Sequence, residues 1–210
     1  GDLIERDKQI RAGDPEGAIA DMYEIGRVYQ PPGSLSFVWG EPYNAAVAEA
    51  LAPDSTLESV VRVGLEHARP QVRERLEKAI ELASTCRDPM DIRAPLNEGY
   101  EGRTGRYPLS HADENVCKAF ATFVATRGDP RQATVVGVNF GRDTDCTAAS
   151  AAGLAGAFAG MATLPEEWIA RVEEGTRNNP YTNSHLTIRE TAEGMYGALT
   201  AKLERINAHI

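Results

Sequence analysis

Residues 139–160 read Asn-Phe-Gly-Arg-Asp-Thr-Asp-Cys-Thr-Ala-Ala-Ser-Ala-Ala-Gly-Leu-Ala-Gly-Ala-Phe-Ala-Gly. Two carboxylates, Asp143 and Asp145, stand one residue apart, just ahead of a run built almost wholly of alanine and glycine. Ala148, Ala149, Ala152, Gly153, Gly156 and Gly160 make this a very thin helix, which neighbouring backbones can approach closely. The stretch therefore predicts helix packed on helix, with two acids presented at a helix mouth. Hard cations such as Mg2+ and Mn2+ prefer oxygen ligands of this kind. Gly141 permits a backbone shape that a side chain would block, and the free amides of a helix start favour nearby anions. The competing reading is capping: aspartate is among the best N-caps, and Asp145 ahead of Ala148 fits that role.

Outward from this segment, nearly every periodic stretch has helical spacing. Asp14-Pro15-Glu16 opens a helix with Ala18, Ile19, Met22, Ile25, Gly26 and Tyr29 on one face, ended by Pro31-Pro32-Gly33. A second helix is expected from about Tyr43 to Leu51. A capping box of Ser55 and Glu58 starts a third, with Leu57, Val60, Val61, Gly64 and Leu65 inward. Pro70 starts a fourth, with Val72, Leu76, Ala79, Ile80 and Ala83 inward. Residues 87–109 hold Pro89, Pro95, Gly99, Gly102, Gly105 and Pro108 and read as a long irregular connection. Helix returns over Ser110–Arg127, with a short one after Asp129-Pro130. Thr134–Phe140 reads as helix end plus turn, because a lone strand would have no partner. Pro165-Glu166-Glu167-Trp168 begins another helix, 175–185 is a polar loop, and 187–208 closes the chain with Ala192, Met195, Leu199, Leu203 and Ile206 inward. The fold class is all-α: one bundle-like domain over 1–210.

The 210 residues suffice for a sizeable core. Hydrophobic content of 42% and charged content of 25% are ordinary for a globular protein. A net charge of −9 repels phosphate backbones, which argues against nucleic-acid binding. The run Ala148–Ala162 is well short of the roughly 20 residues a membrane span needs. Cys86, Cys117 and Cys146 are widely spaced, without a C-x-x-C or a zinc-like Cys/His cluster, and read as free thiols of a reducing compartment. The expected location is cytoplasmic.

The string around Asp143 resembles the late motif of the ADP-ribosylglycohydrolase family, of the form Asn-x-Gly-Gly-Asp-Thr-Asp-Thr, followed by Ala-Ala and a small-residue helix. Asn139, Gly141, Asp143, Thr144, Asp145, Ala148, Ala149, Gly153, Gly156, Ala157 and Gly160 fall on it. Ala12-Gly13-Asp14-Pro15-Glu16-Gly17-Ala18 is similar to the family's Gly-Asp-Pro-Glu helix start. Trp39-Gly40 leading into Ala45–Ala50, Glu114-Asn115-Val116, and Leu164-Pro165 with Trp168 extend the likeness along most of the chain.

The resemblance implies an all-helical fold, an orthogonal bundle. It implies a pair of Mg2+ or Mn2+ ions that orient ribose hydroxyls and a water, and hydrolysis of the bond joining ADP-ribose to an acceptor. Asp143 and Asp145 fall on metal-ligand and catalytic positions; Asn139, Gly141, Arg142 and Thr144 are candidate substrate-binding residues. The implied partner is an ADP-ribosylated protein or a small ADP-ribosyl or ribosyl compound. Another ribosyl glycoside as substrate, or a non-catalytic binding role, are the alternatives.

Three departures from the family pattern bear on this. Cys146 stands where a threonine or serine ligand is usual, and a thiol suits a hard ion poorly. Thr147, one residue on, is expected to face elsewhere. Arg142 replaces the second glycine, either to hold a diphosphate or to pair with the acids and compete with metal. The early Gly-Asp-Ala-x-Gly and Thr-Asp-Asp-Thr segments are not found. Arg6-Asp7-Lys8-Gln9 stands in place of the family's segment before the first helix, and Tyr29-Gln30 in place of a Thr-His after it. On this pattern the chain is expected to be the C-terminal portion of the family domain, without its N-terminal helices.

Other features carry weaker readings. Gly99, Gly102 and Gly105 with Arg103 and Arg106 suit a phosphate loop or, more simply, a surface loop. Tyr100, Tyr107 and Tyr181 are loop tyrosines suited to stacking or to packing. Glu114 and His111 form either a polar pair facing the site or the first turn of a helix capped by Ser110. Cys146 reads better as a small buried residue than as a nucleophile.

Overall fold

A computed structural model describes residues 11–98, 111–181 and 185–208. Among the described residues there are ten α-helices, one 3-10 turn and no strand, so the expected all-α class holds.

The local signals work as capping chemistry demands. Asp14 accepts from the Gly17 amide at 3.0 Å and starts α1 (Pro15–Gly26), with Pro15 in the first turn where its missing N–H costs nothing. Ser34 caps α2 (Leu35–Ala50). This helix starts a full two turns before the expected Tyr43, because it runs through Pro42 instead of beginning after it. Burial overrides local preference here: residues 42–48 are all buried, and that packing outweighs one lost backbone bond. The third helix, α3 (Leu57–Glu66), is opened by a capping box of Thr56 with Ser59, not Ser55 with Glu58. The Ser55 hydroxyl instead donates back to the Ala50 carbonyl at 3.2 Å. Then come α4 (Pro70–Thr85), the 3-10 turn Pro89–Ile92 and the short α5 (Arg93–Asn97), so the expected irregular connection is partly helical. The glycine- and arginine-bearing residues 99–110 of that connection, with Tyr100, Tyr107 and Ser110, lie outside the described residues.

The centre of the molecule is α6 (Ala112–Ala125), buried on nearly every side, packed against α2, α4 and the pair α7 (Pro130–Asn139) and α8 (Thr144–Ala159). Phe120, Phe123, Phe140, Leu76, Ile92 and Leu154 form its tightly covered core. The stretch at 134–140 is continuous helix up to Asn139.

The last helix departs from expectation. α9 (Glu166–Asn178) and α10 (Ile188–Asn207) bury no residue. Leu203 and Ile206, read as inward, are about half exposed at 52% and 49%. Periodicity defines an apolar face but not a neighbour to cover it. A groove of about 550 Å3 between these helices and α2 and α8 is lined by Tyr43, Val47, Gly156, Ile188 and Met195 among others. Tyr181, read as a stacking or packing residue, is 96% exposed. No helix among the described residues is long and apolar enough to cross a membrane.

Candidate metal centre

The site is the junction between α7 and α8. Asp129 caps α7 by accepting from the Gln132 amide at 2.8 Å, and Pro130 fills its first position. The two helices touch backbone to backbone at Gly137. A methyl group there would lie 2.6 Å from the Ala148 Cα, so only hydrogen fits. The close approach expected of the thin helix is thus made by α7's glycine. On α8, Thr147, Ala148, Ala151, Leu154 and Ala155 are buried, whereas Ala149, Gly153 and Gly160 are exposed.

The chain reverses through two consecutive left-handed residues, Gly141 (φ 83°) and Arg142 (φ 58°). Glycine does this freely; for Arg142 the conformation costs on the order of 1–2 kcal/mol. The turn is held from outside. The Phe140 carbonyl accepts from Asn97 Nδ2 at 2.7 Å and Arg93 Nε at 3.5 Å, both from α5. Arg142 takes a partner that neither sequence expectation named. Its Nε and Nη2 donate to Glu114 Oε1 and Oε2 at 2.8 and 3.0 Å, a two-pronged pair with a carboxylate that is 0% exposed. Glu114 also accepts from Lys118 Nζ at 2.5 Å, one turn further along α6. Burial pulls the Lys118 ammonium below its ordinary range, partly offset by Glu114, and the same ammonium sits 4.9 Å above the Phe140 ring. His111, offered as a partner of Glu114, is exposed and occupies the N-cap position of α6 without a side-chain cap bond.

Asp143 occupies the N-cap position of α8, yet its side chain makes no cap bond to the helix amides. Asp145 lies inside the first turn, so it is not the N-cap that the structural reading proposed. Ligand atoms of Asp143, Asp145 and Cys146 lie within 4.8 Å of one another. Asn115 Nδ2 donates to Asp143 Oδ2 at 3.4 Å, and Asn115 Oδ1 accepts from the Thr147 hydroxyl at 2.9 Å. Thr147 is fully buried, and its hydroxyl helps hold Asn115 in place. Partial desolvation, together with the Asp143 and Asp145 carboxylates alongside, pushes the Cys146 thiol above its ordinary range.

Of the candidate substrate contacts, Asn139 folds its amide back onto the Val135 carbonyl at 2.8 Å. Thr144 is the first residue of α8 and half-buried. Around Gly141 the space where a side chain would stand is open for 4 Å. Sequence reasoning missed Asn97 and the role of Lys118. The Glu114/Lys118 pair had a visible signal: two opposite charges one helical turn apart, leading into the apolar run Ala119–Ala121.

The family model described as ADP-ribosylglycohydrolase matches residues 9–204. The chain belongs to the ADP-ribosylglycohydrolase family, whose activity is hydrolysis of ADP-ribosyl linkages in general. No curated protein and no solved structure matches at a significant level.

Proposed function

We propose that this chain serves the divalent-metal-dependent hydrolysis of an N- or O-glycosidic bond to ADP-ribose, with Asp143 and Asp145 as the cation-holding carboxylates. The observation that carries this reading is the convergence of two carboxylates at one helix start: ligand atoms of Asp143, Asp145 and Cys146 lie within 4.8 Å of one another. Asp143 holds the N-cap position of α8 with its side chain bonded by Asn115 and not by the helix amides.

The donor set fits Mg2+ or Mn2+ in its two carboxylates and not in its thiol. Cys146 stays protonated near neutral pH, because its thiol is pushed up, and sulfur is a soft donor. Hard ions of this kind take about six oxygens, so waters, substrate hydroxyls or further residues would complete the shell. When bound, such ions supply Lewis-acid polarisation and orientation of sugar oxygens. The chain's own residues do the rest. Asn115 orients Asp143, the amides of the α8 start offer a positive end to an anionic substrate, and the open space at Gly141 admits it. The net reaction puts the oxygen of water on the anomeric carbon and a proton on the departing nitrogen or oxygen. The substrate would be an ADP-ribosylated protein or a small ADP-ribosyl compound.

Cys146 in the usual threonine position favours a second reading, a relative that binds ADP-ribose without cleaving it. Calorimetry with Mn2+ followed by ADP-ribose, in parallel with product analysis on an ADP-ribosylated peptide, tests both. Metal-dependent uptake lost in Asp145→Ala, together with release of ADP-ribose, supports hydrolysis. Uptake without release supports the binding role, and no uptake of either ligand overturns both.

A further inference from the structure

We propose that Arg142 is a positioning residue for the two aspartates, acting through Glu114. This inference rests on the reading that Asp143 and Asp145 hold a cation. A guanidinium next to a cation site is at first sight an obstacle, since like charges repel. On charge alone, its removal should tighten metal binding. The geometry points the other way.

Arg142 is the residue immediately before Asp143, and it holds a left-handed conformation that arginine does not favour (φ 58°). Something must keep it there. The two-pronged bond to Glu114 does so, and Glu114 is itself immobile, being fully buried and bonded to Lys118. The neighbouring residue on α6, Asn115, bonds Asp143. Two adjacent residues of the most buried helix therefore grip two adjacent residues of the turn. With Asn97 on the Phe140 carbonyl, backbone or side chain is held at residues 140, 142 and 143. Gly141, the remaining member, has no side chain to hold and nothing within 4 Å of where one would be. Without the Arg142 fork the turn would be fixed only at its ends, and the aspartates would sample orientations that no longer converge.

The test uses the full 210-residue chain and Mn2+, with free ion followed by electron paramagnetic resonance. Arg142→Gly removes the fork but accepts the same φ, and Lys118 still pairs Glu114, so the fold is kept. The expected result is Mn2+ binding weakened about tenfold, the scale on which outer partners of metal ligands act. The thermal midpoint should stay close to wild type, since relief of the strained φ offsets the lost pair. Unchanged or tighter binding overturns the proposal. Glu114→Gln should weaken binding similarly, and the double variant should be no worse than either single one, because both remove the same link; additive losses overturn it. If Glu114→Gln does not fold, Arg142→Gly alone decides. The remote core variant Val60→Ala controls for stability. It should lower the midpoint and leave Mn2+ affinity intact, and a matching loss there would reduce Arg142 to a stability effect and overturn the proposal. Wild-type protein that takes up no Mn2+ overturns the metal reading and this inference together, which separates that failure from a failure of Arg142 alone.

Discussion

Gly137 lies directly against Ala148: a methyl group built on Gly137 would fall 2.6 Å from the Ala148 Cα and 3.3 Å from its backbone nitrogen. The obstacle is backbone, which cannot rotate aside. This contact sets how near the end of α7 comes to the start of α8, and hence the span that the Gly141–Arg142 turn must bridge. Gly137→Ala gains helix propensity worth about 1 kcal/mol, yet overpacking of this kind costs about 1–3 kcal/mol and more when only backbone can yield. The clash wins. Urea unfolding should show lower stability, and Mn2+ uptake should weaken with it; a variant as stable as wild type would contradict the contact.

Cys146→Thr replaces a soft, protonated thiol with a hydroxyl in the position where the family pattern has threonine. Mn2+ binding should tighten, on the order of 1 kcal/mol or about fivefold. Calorimetry reads this directly, and weaker binding would mean that the sulfur contributes to the site.

Cys117, on α6, gives a pH dependence of its own. Burial pushes its thiol from an ordinary 9.0 up to about 12. Between those values the unfolded chain releases a proton that the folded protein keeps. Stability contributed by this group is therefore complete below pH 9 and falls as pH rises toward 12, by up to about 1.4 kcal/mol per unit. Wild type should lose stability between pH 9 and 10.5 faster than Cys117→Ala, measured as the difference in urea midpoint. Parallel curves would show that the thiol titrates normally.

Tyr43 ties α2 to the middle of α8: its hydroxyl donates to the Ser150 carbonyl at 2.9 Å. Tyr43→Phe keeps the ring and deletes that bond. The expected loss is about 1 kcal/mol, seen as a lower thermal midpoint, with Mn2+ affinity unchanged because the bond is made to the backbone further along α8, past the first turn that carries the aspartates.

Much of this was legible in the chain itself. Asp14-Pro15, Asp129-Pro130 and the Thr187–Glu190 stretch start helices because capping is settled within four residues. The Asp143/Asp145 cluster was readable for the same reason: its three candidate ligands fall within a span of four positions. Pro42 was misread because a local rule was applied where burial on all sides decided the outcome. The exposed face of α10 was misread because a helical stripe looks the same in sequence whether or not anything lies on it.

The sequence alone thus determined helix, cap and acid pair, since each depends on neighbours along the chain. Only the tertiary structure decided that Asn97, Glu114 and Asn115 meet the turn at 140–143 from 28 to 43 residues away. Those contacts exist because α5 and α6 are packed against the α7–α8 junction, and no residue spacing encodes which side chains that packing will bring within reach of one another.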